Sequence, residues 1–207
     1  MTYVQDVNLL LDELGLERIV VIGTSLGGLM AMILAMITPQ RLAAVALNDV
    51  GPVIAPEGLA RIRDYVGQAK SYPTWMHAAR DLMEDHGAAF PDFSVENWLA
   101  MAKRVMVLGQ NGRIVYDYDM KIAEPFEQAG GEVPVVDMWP AYDALAGRPL
   151  LVLRGELSDL LSAETLAEMA RRIPDADVVT VPRVGHAPML DEPEALAAIE
   201  RLLAQVG

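Results

Sequence analysis

The chain contains no cysteine. Disulfide bonds, thiolate catalysis and cysteine-ligated metal sites are therefore excluded. Histidine is almost as scarce, with only His77, His86 and His186. Positive charge is short as well: 16 Lys and Arg face 29 Asp and Glu, a formal net charge of −13. A nucleic-acid partner wants a basic face, so that class is set aside. The plainer meaning of the acidic excess is solubility. The N-terminal stretch MTYVQDVNLLLDEL has no basic region ahead of an apolar run, so it does not read as a secretory signal. A cytoplasmic protein is the resulting expectation. Internal repeats and low-complexity linkers are also lacking.

What is present is a globular composition, 53% hydrophobic and 22% charged over 207 residues. That length buries a substantial core as one domain with room for an inserted subdomain. The stretch Arg18–Thr38 organises the rest, and no charge occurs between Arg18 and Arg41. Length alone would allow a membrane span. Its left half, Ile19-Val20-Val21-Ile22, is β-branched and prefers a strand, whereas its right half is Leu, Met and Ala, which favour a helix. Three glycines and two hydroxyl residues lie between the halves and would weaken one continuous helix. The reading is strand, tight turn, helix, and not a membrane segment. Gly23-x-Ser25-x-Gly27 is then a candidate nucleophile elbow, with glycines where side chains would clash as strand and helix approach.

Val4, Val7, Leu10, Leu11 and Leu14 recur at spacings of three and four, predicting an amphipathic helix ended by Gly15. Pro39 ends the elbow helix, and Leu42–Leu47 reads as a second buried strand. Apolar strands alternating with helices imply a mostly parallel sheet covered on both faces, an α/β fold. Residues 53–145 break the pattern: helical stretches at Glu57–Lys70, Trp75–His86 and Val95–Leu108, with no comparable apolar strand. All three tryptophans fall there. The expectation is a helical insertion forming a lid or pocket wall, with residues 1–52 and 146–207 as the core. The sheet resumes at Pro149–Leu153, followed by a helix at Ala163–Ile173 with Ser162 as N-cap, a strand at Asp177–Val181 and a last helix opening at Asp191-Glu192-Pro193.

In open α/β sheets, sites form beyond the carboxyl ends of the strands. Ser25, Asp159 and His186 all fall just past such ends. A serine needs a base to take its proton, and that base needs a carboxylate to orient it. The order Ser, Asp, His is the one that suits this architecture. His77 and His86 lie inside helices of the insertion and read as structural.

The motifs Gly-Thr-Ser-Leu-Gly-Gly at 23–28, Leu-Asn-Asp-Val-Gly-Pro at 47–52, Leu-Arg-Gly-Glu-Leu-Ser-Asp at 153–159 and Val-Gly-His-Ala-Pro at 184–188 resemble those of α/β-hydrolases. The resemblance is to the lid-bearing kind that includes small esterases, enol-lactonases and carbon–carbon bond hydrolases. It implies Ser25 as nucleophile, His186 as general base and then acid, and Asp159 as orienting carboxylate. Asp49 is the rival for that last role, because some family members place the acid after the strand preceding the lid. Glu156 and Asp191 read as loop and helix-start residues. The backbone N–H of Leu26 would be one oxyanion-hole donor, and no cofactor or metal is implied. Serine at the elbow argues against the dehalogenase and epoxide-hydrolase branches, which use aspartate there.

One departure from the family pattern stands out. Only 24 residues precede Ser25, whereas several strands and a helix, roughly 60–90 residues, would ordinarily do so. The expectation is an N-terminally truncated α/β-hydrolase fold lacking the segment that supplies the second oxyanion donor. An open sheet edge and a possible homodimer follow from that, as does weak activity. The leading function is hydrolysis of an ester, lactone or similar small-molecule carbonyl substrate through an acyl-enzyme. The alternatives are a carbon–carbon bond hydrolase of the same fold and a non-catalytic remnant acting as an interaction module.

Overall fold

The computed structural model describes residues 2–124 and 136–206. Residues 125–135 of the expected insertion lie outside it. The chain divides into two compact units, one formed by residues 1–58 with 136–207 and the other by residues 59–135.

The first unit is built on four parallel strands, β1 (Ile19–Thr24), β2 (Leu42–Asn48), β6 (Leu150–Gly155) and β7 (Asp177–Val181), in the order β1-β2-β6-β7. β2 reads Leu-Ala-Ala-Val-Ala-Leu-Asn and is buried at every position. An inner strand covered on both faces has no use for alternation, so its sequence is continuously apolar. Its side chains still point to opposite sides. Val45 and Leu47 of β2 join Leu150 and Val152 of β6 in one cluster. The helices α1 (Thr2–Glu13), α2 (Leu26–Ile37), α6 (Trp139–Asp143) and α7 (Ala163–Arg172) close that cluster with Val4, Met32, Tyr142 and Met169. Ala44, Ala46, Leu151 and Leu153 face the other way and are equally buried. The helix α8 (Pro193–Ala204) packs on β2, β6 and β7 through its buried Ala195, Ala198 and Leu202. This is the expected α/β fold, with a parallel sheet flanked by helices.

Two details depart from the sequence expectation. In α1, Val4 and Leu11 are buried, but Leu10 and, in the turn just after the helix, Leu14 are 52% and 60% exposed. A helix stripe built on positions 4, 7 and 11 suffices against α2, and residues 10 and 14 fall outside it. The second departure lies in the unit of residues 59–135. Beside the helices α3 (Pro56–Tyr65), α4 (Trp75–His86) and α5 (Val95–Val105), it contains an antiparallel sheet in the order β3-β5-β4. The strands are β3 (Ser71–Tyr72), β4 (Met106–Leu108) and β5 (Ile114–Tyr116). Strands of two or three residues are too short to display a period of two, so they read as helix ends and turns. Within this unit Phe90, Phe93 and Trp98 stack into an aromatic core, with Phe93 and Trp98 centroids 5.0 Å apart.

Candidate active site

Ser25 joins β1 to α2 with φ 51° and ψ −115°, a conformation that non-glycine residues rarely adopt. The turn is made by backbone contacts on either side of it. A Cβ on Gly23 would sit 2.5 Å from the carbonyl carbon of Gly27, and one on Gly28 would sit 2.3 Å from Val50. Gly27, by contrast, has open space where its Cβ would be. The close approach therefore falls on Gly23 and Gly28, not on Gly27 as the five-residue motif suggests. The N–H of Ser25 donates to the carbonyl of Asn48 at 3.2 Å, which ties the turn to the end of β2. Its own carbonyl accepts from Gly28 and Leu29. Leu26 opens α2, where the N–H groups of Leu26 and Gly27 precede the first intrahelical bonds, and the Ser25 side chain does not cap them. These amides and the positive end of the helix dipole favour negative charge beside Ser25.

His186 lies on the loop after β7, and its Nδ1 is 2.7 Å from Oδ2 of Asp49. A carboxylate oxygen accepts, so Nδ1 carries a proton, and in the neutral imidazole Nε2 then keeps its lone pair. Asp49 is fully buried and directly follows β2. Two further donors hold it. The Gly155 N–H reaches Oδ1 at 2.8 Å, and the Ser158 hydroxyl reaches Oδ2 at 2.7 Å. Ser158 Oγ also accepts from Leu160 N at 3.2 Å and Leu161 N at 3.1 Å. With both of those bonds incoming, its own proton is directed at Asp49.

The carboxylate bonded to His186 is thus Asp49, which corrects the expectation of Asp159. The reason is topological. β2 lies between β1 and β6, so its carboxyl end borders both the Ser25 turn and the loop after β6. Asp49 adopts φ 55°, leaving the strand direction at once. The loop after β6 is folded back by Glu156 N to Val181 O, Leu157 N to Val184 O and Ser158 N to Gly155 O. That turn presents Ser158 to Asp49, while the Asp159 carbonyl accepts from the Gly58 N–H. A side chain on Gly155 would meet the carbonyls of Val184 and Gly185 at 2.5 Å, so the two loops cross where only glycine fits.

All positive-φ non-glycine residues among those described belong to this end of the sheet: Ser25, Asp49, Arg183 and Leu190. The last two bracket His186. Strained backbone of this kind gathers at functional sites. Glu156 accepts from the Arg183 N–H at 2.8 Å, and Glu192 serves as N-cap residue of α8. His77 is exposed and bonded to Thr74. His86 packs edge-on against Tyr65, and burial holds its pKa below the usual histidine value. Among the described residues, no group of three or more His, Asp or Glu is arranged to hold a metal ion. Gly155 and Ser158 had no local signal in the sequence, since their contribution depends on Asp49, more than a hundred residues away.

Comparison with known proteins places this geometry. A family model described as "Alpha/beta hydrolase family" matches residues 1–199. The chain is 35% identical over 201 residues to the 3-hydroxybutyrate-oligomer hydrolase of Cupriavidus necator, covering 94% of this chain and 68% of that protein. It is 28% identical to an esterase of Mycobacterium tuberculosis, over 87% of this chain and 59% of that one. A solved alpha/beta hydrolase from Novosphingobium aromaticivorans is 62% identical and superposes with a TM-score of 0.93, covering 98% of this chain and 71% of its own.

Proposed function

Because the chain belongs to the alpha/beta hydrolase family and is a hydrolase of that family, we propose that it cleaves carboxylic esters with Ser25 as nucleophile, His186 as base and Asp49 as orienting carboxylate. The observation that carries this reading is the buried His186–Asp49 pair, 2.7 Å long, whose Asp49 follows directly on Asn48, the residue that accepts the N–H of a serine held at φ 51° on a strand-to-helix turn. His186 Nε2 takes the Ser25 proton as Oγ attacks the ester carbonyl carbon. The N–H of Leu26 donates to the oxyanion that forms; one such donor contributes about 10²–10³ in rate. His186 then returns the proton to the leaving alcohol, giving an acyl-Ser25. A water molecule, deprotonated by His186, attacks the acyl carbon and releases the acid. Asp49 holds the imidazole in the required tautomer and stabilises its charged form throughout.

The relative from Cupriavidus necator acts on 3-hydroxybutyrate oligomers. These are linear oligoesters of a short hydroxy acid, and we take that substrate class as the first choice for this chain. The decisive experiment is covalent labelling with a fluorophosphonate, together with turnover of p-nitrophenyl butyrate and of 3-hydroxybutyrate trimers. Labelling that disappears in Ser25→Ala and is strongly slowed in His186→Ala supports the reading. Labelling that persists unchanged in Ser25→Ala sinks it.

A further inference from the structure

Asn48 ends β2 and interrupts an otherwise apolar strand. It is completely buried, and its Oδ1 has no hydrogen-bond partner among the described residues. A buried polar group left half-satisfied weakens a core rather than strengthening it. What its nitrogen does is therefore the informative part. Nδ2 donates to Thr24 Oγ1 at 3.0 Å and to the Pro188 carbonyl at 2.9 Å. A carbonyl only accepts, so the nitrogen and not the oxygen must face Pro188. An amide nitrogen has two protons, and both are used.

The two acceptors are not arbitrary. Thr24 immediately precedes Ser25, and Pro188 is two residues beyond His186. The Asn48 backbone carbonyl also accepts from the Ser25 N–H at 3.2 Å. The next residue, Asp49, holds His186 Nδ1. A segment of two residues thus grips the nucleophile turn on one side and the histidine loop on the other. The start of the histidine loop is tied to the loop after β6 by the Arg183 N–H to Glu156 and Leu157 N–H to Val184 bonds. From the end of β2 it is gripped at two further points, His186 by Asp49 and Pro188 by Asn48. The Pro188 anchor fixes the segment that follows His186, so the imidazole is restrained from both sides.

We infer that Asn48 is a positioning residue for the ester hydrolysis proposed above, setting the histidine loop against the Ser25 turn through its Thr24 and Pro188 hydrogen bonds. It touches no substrate, so its removal leaves binding intact and slows chemistry. This inference rests on Ser25 and His186 acting as nucleophile and base.

The test compares Asn48→Leu, of the same branched shape but larger and without donors, with the wild type. Fluorophosphonate labelling rate, kcat and KM for p-nitrophenyl butyrate, and Tm are measured together. A misplacement of about 1 Å at a reacting group costs about 100-fold, so the expected result is a 10- to 100-fold loss in kcat and labelling rate. KM stays within about twofold of the wild-type value. Asn48→Ser, whose hydroxyl is too short to span both acceptors, gives the same kcat loss and serves if the leucine variant does not fold. Val45→Ala, a cavity in the same strand, is the control: it lowers Tm and spares kcat. The discriminating arm adds Asn48→Leu to His186→Ala. Since Asn48 acts through His186, the residual labelling rate of the double variant equals that of His186→Ala alone. An unchanged kcat in both Asn48 variants, a loss of the same size in the His186→Ala background, or a kcat loss that merely follows Tm overturns the inference. Failure of the Ser25→Ala control instead overturns the ester-hydrolase reading beneath it.

Discussion

Asp49 Oδ2 accepts two hydrogen bonds at 2.7 Å, one from His186 and one from Ser158, while Oδ1 takes the Gly155 N–H. Bonds to charged groups contribute about 1.5–3 kcal/mol each, so the carboxylate is fixed before any substrate arrives. The consequence for mutagenesis is sharp, because two aspartates compete for one assignment. If Asp49 orients His186 as proposed, Asp49→Asn preserves shape but places an amide beside Nδ1 and favours the wrong imidazole tautomer, a change worth about 10⁴ in kcat in serine proteases. We expect a loss of that order for Asp49→Asn and less than about tenfold for Asp159→Asn. Steady-state kinetics on a p-nitrophenyl ester distinguishes them, and a larger loss in Asp159→Asn than in Asp49→Asn would return the role to Asp159. The motif at 153–159 placed a Ser and an Asp side by side, and local sequence holds no information on which of them turns toward Asp49. That choice is made by the backbone turn that folds Ser158 onto Gly155.

At the scale of the element, the β1–α2 turn shows why a short motif is weaker than its geometry. Gly-x-Ser-x-Gly treats its two glycines alike, but the contacts do not. A Cβ at Gly23 meets backbone atoms of Gly27 and Gly28 within 2.6 Å, and backbone cannot swing aside. Gly27 sits in the first turn of α2 with nothing near its Cβ position. Alanine exceeds glycine by about 0.5–1 kcal/mol inside a helix. Gly27→Ala should therefore raise or maintain Tm. Gly23→Ala should destabilise by about 2–4 kcal/mol, or prevent folding, as severe backbone clashes do. Thermal or urea denaturation of the two variants decides the matter, and a Tm for Gly23→Ala within a degree of wild type would refute the account. The strands and most helices of the first unit fall where hydrophobic period and breakers put them, for instance β2 after Pro39 and α8 at Pro193. The short strands β3, β4 and β5 were invisible because pairing, not local pattern, makes them strands.

Considered as a whole, the described sheet places β1 at one edge and β7 at the other. β1 carries Ile22 at 43% exposure, and α1 and α2 expose Leu9, Met36 and Ile37. An apolar edge strand with unpaired N–H and C=O groups is a template for another chain. We expect this 207-residue polypeptide to self-associate in a concentration-dependent way. Ile22→Lys, which puts a charge on that edge, should shift it toward monomer. Light scattering coupled to size exclusion at several concentrations measures both, and a wild-type chain monomeric throughout would contradict the expectation. No helix among the described residues is long and apolar enough to cross a membrane. The apolar run that begins at Arg18 is divided by its turn into a six-residue strand and a twelve-residue helix.

By itself, the sequence determined the alternation of buried strands and helices, the strand-turn-helix around Ser25, and the absence of thiol chemistry. Hydrophobic period, β-branching and breaker residues act over a few neighbours and are readable in order along the chain. Only the tertiary structure decided that Asp49 is the carboxylate on His186 and that Asn48 ties Thr24 to Pro188. It also decided that, of the glycines around Ser25, Gly23 and Gly28 and not Gly27 are the ones without room for a side chain. Each of those depends on which strand ends lie side by side. That neighbourhood is set by parallel pairing such as that of Val45 in β2 with Leu150 in β6, 105 residues apart in the chain, and no local pattern encodes it.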